Sequence, residues 1–169
     1  MENWDLYNAD KELTGDVVES GYSFGVGEFH LIVNIWIINH RDEFLVQKRS
    51  MNKDEFKGLF AGHGGSVISG ETSPQGAMRE VKEEIGIDIE LDDKNLMQSV
   101  SWENGIFDNF VIRKDVSLED VSTNSEVDEV RYMTINEIED SIMEGKFIDY
   151  FSFYGVNYFK DILRFIEEV

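Results

Sequence analysis

No cysteine occurs among the 169 residues, which excludes disulfides, thiolate metal sites and a cysteine nucleophile together. There is a single proline, Pro74, and no internal repeat, low-complexity tract or Pro/Ser-rich linker. One domain spanning residues 1–169 is therefore expected, with 1–28 as an N-terminal extension. No apolar run approaches the roughly 20 residues of a membrane span. The first residues, MENWDLYNADKE, are acidic and lack a basic-then-apolar signal pattern. These absences predict a cytoplasmic protein without a membrane partner. Cations are scarce too: 15 Lys and Arg stand against 35 Asp and Glu, a formal net charge of −20. Binding to a nucleic-acid polymer calls for a basic footprint, so that class of partner is not expected. What the chain does have is apolar bulk, 41 % of residues with 12 Phe, 6 Tyr and 3 Trp, enough for a sizeable core.

Periodicity places the elements. Residues 4–8 and 12–19 read as a short hairpin, and Gly21, Gly25 and Gly27 mark a loop. His30 to Ile38 is apolar on both faces, the mark of a central strand, and Glu43 to Arg49 returns beside it. Leu59 to Ala61 is a short strand running into Gly62-His63-Gly64-Gly65. Pro74 suits the first turn of a helix capped by Thr72 or Ser73 and closed by Gly86. Strands are expected near 88–91, 96–102, 105–113 and 127–133, and helices over 136–144 and 158–168. Strands and helices in this mixed order predict an α/β sandwich with a mixed sheet between helices.

The helix between Pro74 and Gly86 carries the chemistry. Glu80, Glu83 and Glu84 fall in one arc at i, i+3 and i+4, while Met78, Val81 and Ile85 share another. Like charges at these spacings cost an isolated helix roughly 0.2–0.5 kcal/mol per pair. A multivalent cation converts that repulsion into binding, and carboxylate oxygens suit magnesium or manganese rather than zinc. An acidic protein that handles a polyanion must interpose cations, so the charge of −20 fits a metal-bridged small phosphate substrate.

The spacing around this helix is specific. Gly65, Glu71 and then Arg79-Glu80-Val81-Lys82-Glu83-Glu84-Ile85-Gly86-Ile87 occupy every defined position of a 23-residue pattern, residues 65–87. The pattern is that of the Nudix box, and the chain resembles the Nudix hydrolases. That resemblance implies the Nudix fold, an α/β/α sandwich with a mixed sheet. It also implies metal-dependent hydrolysis of a diphosphate bond in a nucleoside diphosphate linked to another moiety, X. By position, Glu80, Glu83 and Glu84 and the Gly65 carbonyl are metal ligands, Glu71 assists, and Arg79 orients a ligand carboxylate. The implied cofactor is Mg²⁺ or Mn²⁺, and the implied partner is a small-molecule diphosphate.

Outside the box, Arg49, Lys53 and Lys57 are candidate phosphate contacts, and Phe60 and Trp102 candidate stacking platforms for a base. Glu126 and Glu129 lie where related enzymes place a further ligand or base. An odd separation on a strand points them to opposite faces, and Glu126 is the expected catalytic acid beside Glu83 and Glu84. Residues 4–87 also resemble the branch of Nudix proteins that includes isopentenyl-diphosphate isomerases, with His30 at the position of a metal-binding histidine. The isomerase cysteine, however, would align with Gly64 and its second histidine with Ser66. His30 is then expected in the core or behind the ligands. An isomerase-like enzyme and a non-catalytic nucleotide-sensing module stand as the alternatives. Aromatics near both ends make a homodimer an expectation as well.

Overall fold

The computed structural model describes all residues, 1–169. Its frame is β3, His30–Ile38, whose alternate residues enter two different cores. Leu31, Val33, Ile35 and Ile37 pack on one face with Leu45, Ala77, Val81 and Ile85. Trp36 and Ile38 pack on the other with Phe44, Val46, Val111, Tyr158, Phe159 and Ile162. A strand buried on both faces must be central, as its unbroken apolar run predicts.

The sheet around it is mixed. β8, Gly105–Arg113, runs parallel to β3 along its whole length, and β7, Leu96–Trp102, is antiparallel to β8. On its other side β3 changes partner. Its first half pairs with β6, His63–Ser66, and its end pairs with β4, Phe44–Arg49. β4 then carries β5, Phe60–Ala61, and β9, Val127–Met133. The result is a fork between β3 and β4 into which β6 is inserted.

Helix α1, Ser73–Ile85, covers one face. Its N-terminus is a capping box in which Thr72 accepts from the Gln75 N–H and Gln75 returns a bond to the Thr72 N–H. Gly86 closes it at φ 74°. Helices α2 (Ile135–Met143), α3 (Tyr150–Tyr154) and α4 (Tyr158–Glu168) cover the opposite face through Ile138, Tyr150, Phe159, Ile162 and Ile166. This is the α/β/α sandwich.

The extension forms a separate two-stranded ribbon, β1 (Asn3–Tyr7) and β2 (Leu13–Glu19). It is anchored at several points. Tyr7 bridges Phe29, Asp5 accepts from Ser69 Oγ at 2.6 Å and from the Gly70 N–H at 2.9 Å, and Lys11 pairs with the buried Asp108 at 2.6 Å. Trp4 stacks on His30 with centroids 4.5 Å apart. Most aromatics near the two ends are thus spent inside the chain, including Phe24 on His30 and Tyr158 and Phe159 in the core.

Three elements depart from the sequence expectation. Residues 88–91 form no strand, although Ile87, Ile89 and Leu91 are buried, because apolar alternation anchors the segment with no neighbouring strand to pair. Residues 63–66, to which the sequence assigned no element, form β6, because the open β3 edge accepts a glycine-rich segment that carries little side-chain bulk. Tyr150–Tyr154 forms a short helix, capped by Asp149 accepting from the Ser152 N–H, that periodicity over so few residues cannot announce.

Gly64 shows how tightly the fork closes. Its φ is 151°, and a Cβ there would overlap the Val33 carbonyl oxygen. Gly70, at φ 87°, faces open space. Gly64→Ala should therefore cost at least about 3 kcal/mol through backbone strain plus overlap. Gly70→Ala should cost about 1 kcal/mol from conformation alone. Urea unfolding of the two variants measures this; equal losses would show that the β3–β6 approach is looser than described.

Candidate active site

Helix α1 lies with its carboxylate arc against the fork, so two of the three helix acids are buried instead of solvated. Glu80 is 8 % exposed and Glu84 is 3 % exposed, while Glu83 is half-exposed. Glu84 Oε2 accepts from Gln47 Nε2 at 3.0 Å and from the Gly64 N–H at 3.2 Å. Gln47 also donates to the Gly62 carbonyl, so a β4 side chain ties the helix acid to the strand below it. His63 lies behind, with Nε2 3.0 Å from the Leu45 carbonyl and Nδ1 3.7 Å from Glu84.

Arg79 organises the remaining acids. Its Nε meets Glu71 at 2.8 Å, Nη1 meets Glu80 at 2.8 Å and Glu83 at 3.2 Å, and Nη2 donates to the Ser66 carbonyl at 2.9 Å. Burial works against its charge, yet hydrogen bonds and the charges of Glu71 and Glu80 hold its pKa above the usual value. Glu80 moves the other way from an ordinary carboxylate. Burial pushes its pKa up to about 7, with Glu84 and Glu83 adding to the rise and Arg79 opposing it.

One cleft of about 1060 Å³ opens beside this cluster, lined by Glu80 and Glu83 but not by Glu71, Arg79 or Glu84. Gly65, Glu80, Glu83, Arg49, Lys53 and Glu126 are all on its wall. Glu126 sits just before β9, its N–H bonded to Asn124 Oδ1, and its carboxylate is 2.8 Å from Lys53 Nζ. Glu129 is not on the wall. It pairs with Arg131 at 2.6 Å and lies opposite Lys48 in the sheet, whereas Glu126 precedes β9 and the register against β4 shifts between Lys48 and Arg49, so strand parity does not relate the two acids.

Two candidates from the sequence fall elsewhere. Lys57 is exposed and does not line the cleft, although Lys53, Asp54, Glu55 and Phe56 of the same loop do. Phe60 is buried in the core, with Arg131 4.5 Å and Lys48 5.9 Å from its ring centroid, so its face is not free for a base. His30 does not line the cleft either. It is held beneath Trp4 and Phe24, and burial lowers its pKa to about 4. Conversely, Gln47, Asn34 and Tyr150 reach the cleft without having been singled out as site residues. Gln47 had one usable signal, an uncharged polar residue directly after the apolar run Phe44-Leu45-Val46.

The fit of a divalent cation rests on the donors themselves. Four carboxylates and the box backbone supply only hard oxygen, and Gly65 has no side chain where the Glu80 carboxylate comes within 2.6 Å of a Cβ position. No three acidic or histidine side chains stand in a ligating arrangement, and Glu71, Glu80 and Glu83 are all turned to Arg79. The chemistry of the donor set fits magnesium or manganese.

The model described as the NUDIX domain matches residues 28–151. Uncharacterized Nudix hydrolases of Listeria monocytogenes and Listeria innocua are each 39% identical over 153 residues, covering 89% of this chain and 90% of theirs. Among solved structures, DR0079 from Deinococcus radiodurans superposes with a TM-score of 0.71 at 19% identity, over 96% of this chain and 98% of that one. The MutT protein from Methanosarcina mazei Go1 gives a TM-score of 0.62 at 24% identity, over 83% and 94%. At these identities the two structures speak for the fold. The chain belongs to the Nudix family of hydrolases. Enzymes of this family act on small nucleoside-diphosphate-linked molecules and generally use divalent metal ions. No helix is long and apolar enough to cross a membrane.

The raised Glu80 pKa has a consequence in protein stripped of divalent ions. Folded Glu80 holds its proton up to about pH 7, whereas an unfolded glutamate releases it near 4.3. Folding thus binds a proton between these values, and stability falls as pH rises through that window. In EDTA the Tm should decline from pH 5 to pH 7, and Glu80→Gln should flatten the decline and raise the Tm at pH 7. A variant Tm profile parallel to that of wild type would mean Glu80 is ionised throughout.

Proposed function

We propose that the protein is a magnesium- or manganese-dependent pyrophosphohydrolase that cleaves the diphosphate bond of a nucleoside diphosphate linked to a second moiety. The observation that carries this reading is the convergence of Glu80, Glu83, Gly65, Arg49, Lys53 and Glu126 on one cleft in a protein of net charge −20. A diphosphate can enter such a cleft only with cations beside it.

Glu80, Glu83, Glu84 and the Gly65 carbonyl would hold the ions, with Glu71 in support. When bound, the ions lower the pKa of water and neutralise charge on the phosphates. The chain's own residues do the positioning. Arg79 keeps Glu71, Glu80 and Glu83 together against their mutual repulsion, and Gln47 fixes the orientation of Glu84. Arg49 and Lys53 are the cations placed to meet phosphate oxygens. Glu126 is the acid that takes up the proton of the attacking water, once Lys53 is drawn from it by the substrate. Because phosphoryl transfer demands mainly positioning and charge stabilisation, no covalent intermediate is needed. Residues 1–169 act in this as one unit, in the cytoplasm. Nothing in the cleft favours the isomerase, whose cysteine position is Gly64, or a non-catalytic sensor, since every box acid is present.

A screen of diphosphate compounds with magnesium, scoring released phosphate products, tests the reaction. On the best substrate the Glu83→Gln/Glu84→Gln double variant should turn over at least about 100-fold more slowly while remaining folded. Turnover at the wild-type rate would remove the reaction from the box.

The two downstream acids give a sharper comparison. Glu126→Ala should lose roughly 10²–10⁴-fold in kcat, and Glu129→Ala little. The reverse ranking would show that the cleft wall is misassigned, and small equal effects would return the base to Glu83 or Glu84.

A further inference from the structure

The cleft extends well past the acids. One register row crosses the sheet from the box loop outward, Ser66 beside Ile32, Ile32 beside Phe107, and Phe107 beside Val100. All four residues line the cleft. Three strand spacings, about 14 Å, separate the ends of this row, further than a diphosphate alone reaches.

The far end differs in chemistry from the near one. Trp102 and Phe153 stand edge to face at 5.6 Å, 50% and 37% exposed, with Tyr154 and Trp4 nearby on the wall. The charged lining residues just before β1 and at the β7–β8 turn are Glu2 and Glu103, whereas both lining cations, Arg49 and Lys53, belong to β4 and the loop after it. A polyanion is therefore excluded from the aromatic end, and an uncharged ring is not.

Trp102 is also held in place. The Glu103-Asn104 turn that follows it puts Glu103 at φ 50°. Asn104 Nδ2 donates to the Glu28 carbonyl at 2.9 Å, and the Asn104 carbonyl accepts from the His30 N–H at 2.9 Å. Trp4, Phe153 and Tyr154 come from segments on either side of the family-matched residues 28–151. The aromatic end is thus assembled from β1, the end of β7 and α3, around a platform fixed before any ligand arrives.

We propose that Trp102 and Phe153 form the subsite for the nucleobase, which stacks there while the diphosphate lies at the acid cluster. This rests on the proposed reaction only for the position of the diphosphate. A base stacked on an aromatic platform gains affinity whatever its identity, so the subsite confers preference for nucleosides as a class more than for one base.

Calorimetric titration in magnesium distinguishes the two ends. The probes are the non-hydrolysable α,β-methylene analogues of ADP, GDP, CDP and UDP, and methylenediphosphonate, which lacks the nucleoside. Wild-type protein should bind at least one nucleoside analogue about 10-fold or more tighter than the bare diphosphonate. Trp102→Ala and Phe153→Ala should each erase most of that margin with the diphosphonate affinity unchanged, and Trp102→Phe should retain it. Absence of the margin in wild type, its survival in both alanine variants, or an equal loss for both probe classes overturns the subsite. Selective binding without hydrolysis of any diphosphate compound would support the subsite and overturn the reaction.

Discussion

Two carboxylates buried at a strand fork are what the rest of this structure is arranged around. Glu80 and Glu84 sit where β3 leaves β6 and joins β4, a place where backbone groups are exposed to the cleft and apolar packing is interrupted. Burying a charge is costly unless it is paired and hydrogen-bonded. Each local feature of the fork answers that cost. Arg79 supplies the counter-charge, and the Gly64 N–H and Gln47 supply donors to Glu84. Gly64 and Gly65 let backbone and carboxylate approach where a side chain would collide.

The same arrangement bears on the proposed binding of cations. A guanidinium bridging three carboxylates spreads one positive charge over three negative ones, leaving the cluster net negative. Residual negative potential in a partly buried site is the condition under which divalent ions compete successfully with water. Glu80 is pushed up to about 7 chiefly by burial, with the charges of Glu84 and Glu83 adding less and Arg79 opposing.

The two faces of the sheet divide the labour. On the α1 side, an aliphatic core of Val33, Ile35, Val81 and Ile85 fixes the height and rotation of the helix, and hence of its acids. On the other side, Trp36 donates to Tyr158, Tyr158 donates to Asn109, and Asn34 donates to Tyr154, so a polar chain runs through an aromatic core. That chain secures α3 and α4 against the sheet and sets the wall from which Phe153 projects. The anchored N-terminal ribbon adds Trp4 from a third direction.

Much of this was legible in order along the chain. The spacing from Gly65 to Ile87 identified the clustered acids and the family, because residues on one helix are related by helical geometry alone. The unbroken apolar run of His30–Ile38 identified the central strand, because a strand covered on both faces leaves no polar alternation. The position of Glu126 against Glu129 was not legible in this way, because Glu126 lies before β9 and the β4–β9 register shifts beside it. What the sequence could not decide were relations between elements distant along it. That Lys57 and Phe60 lie off the cleft while Gln47 and Asn34 lie on it depends on how β4, β5 and β6 share the fork. That residues 88–91 pair with nothing, while 63–66 become a strand, depends on which sheet edge is open. Local periodicity reports which face of an element is buried. Only tertiary packing reports what it is buried against, and the composition of the cleft is a consequence of that second fact.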